Sequence, residues 1–153
     1  VFLSMVLADT TSRRPPDAAK MWGERVQSAQ TKGMDSLVDS TLARWFTEPY
    51  RNSHKDVMAK IGDDIRKTPV AGFVGCCHAI PKIDLTGRLW SLDCPVQVIV
   101  GEQDVGTPVA MAREIHEATP GSELVIIPNA SHLSNLEQPE AFNRALLDFL
   151  GRH

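Results

Sequence analysis

Two side chains in this sequence have the types and the spacing of an acid–base pair. They are Asp104, in Gly101-Glu102-Gln103-Asp104, and His132, in Pro128-Asn129-Ala130-Ser131-His132-Leu133. Each motif directly follows an apolar run that reads as a β-strand, 95–100 before the first and 123–127 before the second. A carboxylate held at a strand end, with Gly101 relaxing the turn, can accept a hydrogen bond from an imidazole and fix its tautomer. The 28 positions between them correspond to one strand–helix–strand unit, which sets the two loops side by side at the carboxyl edge of a parallel sheet, where open α/β folds bind ligands. Taken singly, each residue has a plainer explanation. Asp is favoured at helix N-caps and in turns, and a lone loop histidine is more often a surface or capping residue. Their occurrence at successive strand ends of one sheet favours function.

Such a pair is half a mechanism, because the imidazole needs a hydroxyl, a thiol or a water to deprotonate. No Gly-x-Ser-x-Gly segment, the strained turn that presents a serine nucleophile, occurs in the 153 residues. Ser4 lies within an apolar strand and Ser131 beside the histidine, neither with flanking glycines. Cys76 and Cys77 sit in the apolar stretch that follows Ala71-Gly72-Phe73-Val74-Gly75, where close packing is the expected role. The chain is chemically incomplete as it stands.

The elements that must position the pair show in the periodicity. Residues 2–8 are continuously apolar and predict a buried strand with neighbours on both sides. From about Asp17 to Ile80 the spacing turns helical, with helices expected at 16–31, 34–45, 52–66 and 69–80, separated by Gly33, a Thr47-Glu48-Pro49 break and Thr68-Pro69. Leu37, Val38, Thr41, Leu42 and Trp45 recur at helical steps and turn Trp45 inward. After a connector from Asp84 to Asp93 come strand 95–100, helix 108–119, strand 123–127 and helix 139–150. This βαβα order implies a parallel sheet with right-handed crossovers and flanking helices.

Composition narrows the function classes. With 42% hydrophobic and 23% charged residues the chain is an ordinary globular sequence, and at this size it buries roughly 70% of its unfolded surface without needing a metal or a disulfide. A net charge of −3 leaves no broad positive field for nucleic acid or anionic lipid. No apolar run reaches the ~20 residues of a membrane span. Three cysteines, Cys76, Cys77 and Cys94, form neither a disulfide framework nor a zinc motif and fit a reducing cytoplasm. Without an initiator Met, the chain reads as cut from something longer.

The segment CPVQVIVGEQDVGTPVAMAREIHEATPGSELVIIPNASHLSNLEQPEAFNRALLDFL resembles the last two β/α units of the α/β-hydrolase fold. The match is carried by P-V-x-V-I-V-G-E-Q-D-x-x-T-P and A-S-H-L-S-N-L-E-Q-P-E-x-F. FLSMVLADTTSRR looks like the sheet strand that precedes the family's helical cap. MDSLVDSTLARWFTEPY and VAGFVGCCHAIPKIDLTGRL are similar to the caps of 3-oxoadipate enol-lactonases.

The resemblance implies an α/β class with three segments. Residues 1–14 would be a core strand and lead-in, 15–82 a helical cap, and 83–153 the C-terminal β/α units. It implies a hydrolase of esters or lactones in aromatic-compound degradation, with Asp104 as triad acid, His132 as general base, and no cofactor or metal. The serine nucleophile and oxyanion donors would come from an N-terminal half, a separate chain or one missing here. Trp45, Phe46 and Phe73 would wall the substrate pocket, with Val105 and Leu133 as lesser candidates, and Arg44, Arg51 or Lys82 would meet a substrate carboxylate. The alternatives are other chemistry on the same fold (a C–C hydrolase, a haloperoxidase, a general esterase) or a non-catalytic module that associates, or dimerises, through an open sheet edge beside residues 2–8.

Overall fold

Strand formation starts later than the opening apolar run predicts. In the computed structural model, which describes residues 2–153, strand β1 spans Met5–Ala8, and Phe2 and Leu3 are exposed. Val1, the first residue of the segment 1–14, lies outside the described residues. The partner explains the late start. Strand β2 (Val96–Gly101) pairs with β1 from Met5↔Val96 onward. Just before it, Pro95 accepts the Met5 N–H at 2.9 Å but has no N–H with which to carry the ladder further.

Strand β3 (Glu123–Ile127) pairs parallel with the other edge of β2, giving the order β1-β2-β3. The central strand is therefore β2, buried at every position, while β1 is an edge strand whose residues are only partly buried. Alternation along β2 divides the core between two faces. Val96, Val98 and Val100 pack with Ala112 and Ile115 of helix α6 (Val109–Ala118), and with Met5, Leu7, Leu124 and Ile126 of the flanking strands. On the other face Ile99 and Ile127 pack with Val6, Val125 and with Ala141, Phe142 and Ala145 of helix α8 (Pro139–Leu150). Each such aliphatic side chain, fully buried, contributes roughly 1.5–3 kcal/mol. Gln97, on the α8 side, is half satisfied: its Nε2 donates to the Ala145 carbonyl at 3.2 Å, while its Oε1 is buried without a hydrogen-bond partner among the described residues.

Between β1 and β2 run five helices where four were expected. They are α1 (Ala18–Lys32), α2 (Val38–Trp45), α3 (Glu48–Ser53), α4 (Lys55–Lys67) and α5 (Val70–Ala79). The Thr47-Glu48-Pro49 break is itself the start of α3, since proline in a first turn forfeits no helical hydrogen bond. Gly33, at φ 77°, ends α1, and a 3₁₀ turn (Met34–Leu37) leads into α2. The connector at Asp84 to Asp93 contains another 3₁₀ segment, Thr86–Ser91. A further short helix, α7 (Ser134–Glu137), follows the histidine loop. Of the adjacent cysteines, Cys77 is packed and Cys76 exposed; all three cysteines are free.

The chain forms two compact units. One comprises the chain up to Ser12, Arg44–Thr47 and Leu85–His153; the other comprises Arg13–Ala43 and Glu48–Asp84. The short stretch Arg44–Thr47, inside the run read as a cap, thus belongs to the sheet unit. The helical unit is organised around Ala18, Trp22 and Cys77, with Val26, Phe73 and Ile80 against them. Its two ends meet in an antiparallel bridge between Arg13 and Asp84, beside the Arg14 N–H bond to Ile83.

Candidate active site

The end of β2 turns tightly at Gly101, whose carbonyl accepts the Asp104 N–H at 3.1 Å, and this turn sets the Asp104 side chain inside the sheet unit with none of its surface exposed. Its four acceptor sites are filled. Oδ1 accepts the N–H groups of Gly106 at 2.7 Å and Thr107 at 2.9 Å. Oδ2 accepts the Thr107 hydroxyl at 2.7 Å and His132 Nδ1 at 2.8 Å. Burial alone would push this carboxyl up, but the bonds from His132 and Thr107 outweigh it and hold the group below its ordinary 3.8. An ionised Asp104 can only accept, so Nδ1 carries a hydrogen, and in the neutral tautomer that this fixes, the lone pair is on Nε2. Thr107 Oγ1 also lies 3.3 Å from Nδ1. The imidazole is 27% exposed, enough for a reactant to reach it.

The Asp104 and His132 loops are in backbone contact. Glu102 and Gln103 donate their N–H groups to the carbonyls of Ile127 and Ala130 at 2.9 and 2.8 Å, and the Ser131 hydroxyl donates to Gln103 O at 3.3 Å. A Cβ on Gly101 would stand 2.1 Å from the Ser131 carbonyl oxygen. Glycine is needed here for close approach, and not, as the sequence suggested, to relax a turn, since its φ is not in the left-handed region. Two further carboxylates fasten the histidine loop. Glu137 accepts the Ser131 N–H at 2.6 Å and, through its other oxygen, the N–H and hydroxyl of Thr47 at 2.9 and 2.6 Å. Asp9, at the end of β1, accepts the Gly101 N–H at 2.8 Å and the Ser134 hydroxyl at 2.6 Å.

No family model matches the chain. Individual proteins do. The sequence is 31% identical over 145 residues to 3-oxoadipate enol-lactonase 2 of Acinetobacter baylyi, covering 95% of this chain and 53% of that protein. The crystal structure of the enol-lactonase from Burkholderia xenovorans LB400 superposes with a TM-score of 0.91 at 34% identity, over 97% of this chain and 56% of that one. A thermophilic esterase from Thermogutta terrifontis gives 0.88 at 27% identity, over 98% and 56%. The chain has the fold of part of an α/β-hydrolase. It spans about half the length of the relatives it matches.

The structure brings Asp104 and His132 together and distributes the expected pocket residues unevenly. Leu133 is partly buried beside the histidine, its N–H donated to the Trp45 carbonyl at 3.1 Å. Trp45 is itself partly buried. Phe46 is 1% exposed, a packing position with no face left for a ligand. Val105 is 68% exposed. Phe73 belongs to the helical unit, where it packs against that unit's core with the Arg25 guanidinium 5.7 Å from its ring centre. Of the three candidate cations, Arg51 and Lys82 lie in the helical unit and Arg44 in the sheet unit. Arg44 Nη2 and His132 Nδ1 both lie within 4 Å of the point where a Gly106 Cβ would sit.

Sequence reasoning missed Thr107, Asp9 and Glu137. Thr107 had a readable signal, the Asp-x-x-Thr spacing by which a carboxylate gathers the N–H groups of a following turn. Asp9 had a weaker one, a polar residue closing a strand as Asp104 does. Glu137 had none, because its partners lie 6 and 90 positions away. Among the described residues no group of three or more His, Cys, Asp or Glu side chains could hold a metal ion, and no helix is long and apolar enough to cross a membrane.

Proposed function

We propose that this chain supplies the acid, Asp104, and the general base, His132, of a Ser-His-Asp triad that hydrolyses esters or lactones. The observation that carries the reading is the 2.8 Å bond from His132 Nδ1 to a fully buried, donor-saturated Asp104 at the carboxyl edge of a parallel sheet. Nε2 would take the proton of a serine hydroxyl as its oxygen attacks the carbonyl carbon, return it to the leaving oxygen, and then activate the water that releases the acid. Asp104 holds the ring and stabilises the imidazolium. The serine and the oxyanion donors would come from an N-terminal half, whose strands would continue the sheet beyond β1, one of its two edge strands. The similarity to 3-oxoadipate enol-lactonase 2 supports an enol-lactone substrate of aromatic-compound degradation. Such a lactone carries carboxylate, and of the three candidate cations Arg44, whose Nη2 lies with His132 Nδ1 near Gly106, would be the one to meet it.

The test is turnover of an activated ester and of 3-oxoadipate enol-lactone by the protein that joins this chain to its serine-bearing half. His132→Ala and Asp104→Asn are each expected to lower kcat by ~10³–10⁴ or more, as losses of triad members do. Near-normal rates in both would sink the assignment. Turnover of the ester but not the lactone would keep the triad and discard the substrate.

A further inference from the structure

Acid and base lie on different loops, and the rate such a pair can support depends on how firmly the loops are held in register. The end of β1 contains a device suited to that task. The Asp9 N–H still bonds in the ladder, to Ile99 O at 2.8 Å, but its φ of 45° is left-handed. Among the described residues only one other non-glycine, Asn129, shares that conformation. The conformation is uncommon for a residue with a side chain and recurs where a function over-determines it. Its effect is to send the carboxylate across the sheet edge, where the two oxygens divide. Oδ1 takes the N–H of Gly101, the residue that opens the acid loop, at 2.8 Å. Oδ2 takes the hydroxyl of the fully buried Ser134 at 2.6 Å and its N–H at 3.3 Å. Ser134 stands two residues beyond His132.

We propose that Asp9 is a positioning residue that holds His132 in register with Asp104 by tying the roots of both loops to one carboxylate. The inference rests on the reading of Asp104 and His132 as acid and base. Glu137 shows what distinguishes Asp9. It also grips the histidine loop, at Ser131, but its other oxygen goes to Thr47 and not to the acid loop. All three groups bound by Asp9 are donors, so the site asks for an acceptor at both oxygens. An asparagine with its oxygen on the Gly101 N–H would turn its amide NH₂ toward Ser134, whose hydroxyl could rotate to accept but whose N–H would lose its acceptor.

The readout is the low-field Nδ1–H proton of His132, followed by NMR in the full chain with 15N-labelled histidine, together with thermal melting. Asp104→Asn is the benchmark that removes the acceptor. Asp9→Asn is expected to leave a cooperative melt but to make the Nδ1–H exchange with water about tenfold faster or more, as the bond opens more often. Ser134→Ala keeps the Asp9 charge and deletes the 2.6 Å bond. The same acceleration in it establishes positioning rather than a field effect, and it carries the test if Asp9→Asn does not fold. A lowered melting temperature with unchanged exchange in both variants, while Asp104→Asn does accelerate it, would overturn the proposal alone. No acceleration in Asp104→Asn would overturn the acid–base reading, and the proposal with it.

Discussion

Replacing Gly101 by alanine adds one methyl group at the most crowded point of the site. That carbon would stand 2.1 Å from Ser131 O, 2.6 Å from Ala130 O and 2.9 Å from Ala130 C. All three obstacles are backbone, so no rotamer change relieves them. Real Cβ contacts essentially never fall below 3.0 Å, so the loops must part by about 0.9 Å at the closest pair. A movement of that size takes the 2.8 Å Gln103–Ala130 and 2.9 Å Glu102–Ile127 bonds out of hydrogen-bonding range. With about 1–3 kcal/mol for each of the two buried carbonyl groups, Ile127 O and Ala130 O, left unpaired, the expected loss is ~2–6 kcal/mol. The stiffer unfolded chain returns only about 0.4–1 kcal/mol. For a chain of this length that lowers the melting temperature by roughly 5–20 °C. If the pair acts as proposed above, a shift approaching 1 Å there is expected to cost ~10²-fold in rate.

Thermal and urea denaturation read the stability, with Gly106→Ala as the control. There an added Cβ meets Asp104 Oδ1 at 3.3 Å and Arg44 Nη2 at 3.6 Å, so the loss should stay near or below ~1 kcal/mol. If Gly101→Ala were within about 0.5 kcal/mol of the parent, the backbone contact between the two loops would be refuted as described.

Two further outcomes are expected. Thr107→Val removes the 2.7 Å donation to Asp104 Oδ2 and should cost ~1–3 kcal/mol in urea denaturation, with Thr107→Ser recovering most of it; a loss in Thr107→Ser with none in Thr107→Val would argue that packing of the methyl, not the hydroxyl, matters. The two aspartates should also act on stability with opposite signs. Asp104 is held below 3.8, so its contribution is complete above 3.8 and is lost as the pH falls through its lower folded value. Burial pushes Asp9 above 3.8 against the pull of its hydrogen bonds. Its contribution is therefore full below 3.8 and is lost as the pH rises through its higher folded value. Denaturation across this range should show Asp9→Asn flattening the profile just above 3.8 and Asp104→Asn flattening it below; profiles parallel to the parent's in both would contradict the assignment.

What could be read from the sequence and what could not differ in range along the chain. Strands β2 and β3 and helices α6 and α8 are each announced by the period of their own apolar residues, and the meeting of Asp104 and His132 follows from one strand–helix–strand step. The ends of β1 and the helix count depended on partners. Phe2 and Leu3 are as apolar as the residues after them, but the ladder has no N–H to offer beyond Pro95. Pro49 reads as a breaker until its place in a first turn is known. The fastenings of the site were least legible, because Asp9 meets Ser134 across 125 positions and Thr47 meets Glu137 across 90, and no local pattern encodes such pairings.

The bridge between Arg13 and Asp84 has an evolutionary corollary. A helical insert whose entry and exit lie side by side closes on itself, so its exchange for another insert need not disturb the strands on either side. The graft boundary has one exception. Arg44–Thr47, in the middle of the insert, provides the carbonyls and hydroxyl that Leu133, Ser131 and Glu137 use. A replacement insert would have to carry its own version of those four residues, or the histidine loop would lose those moorings.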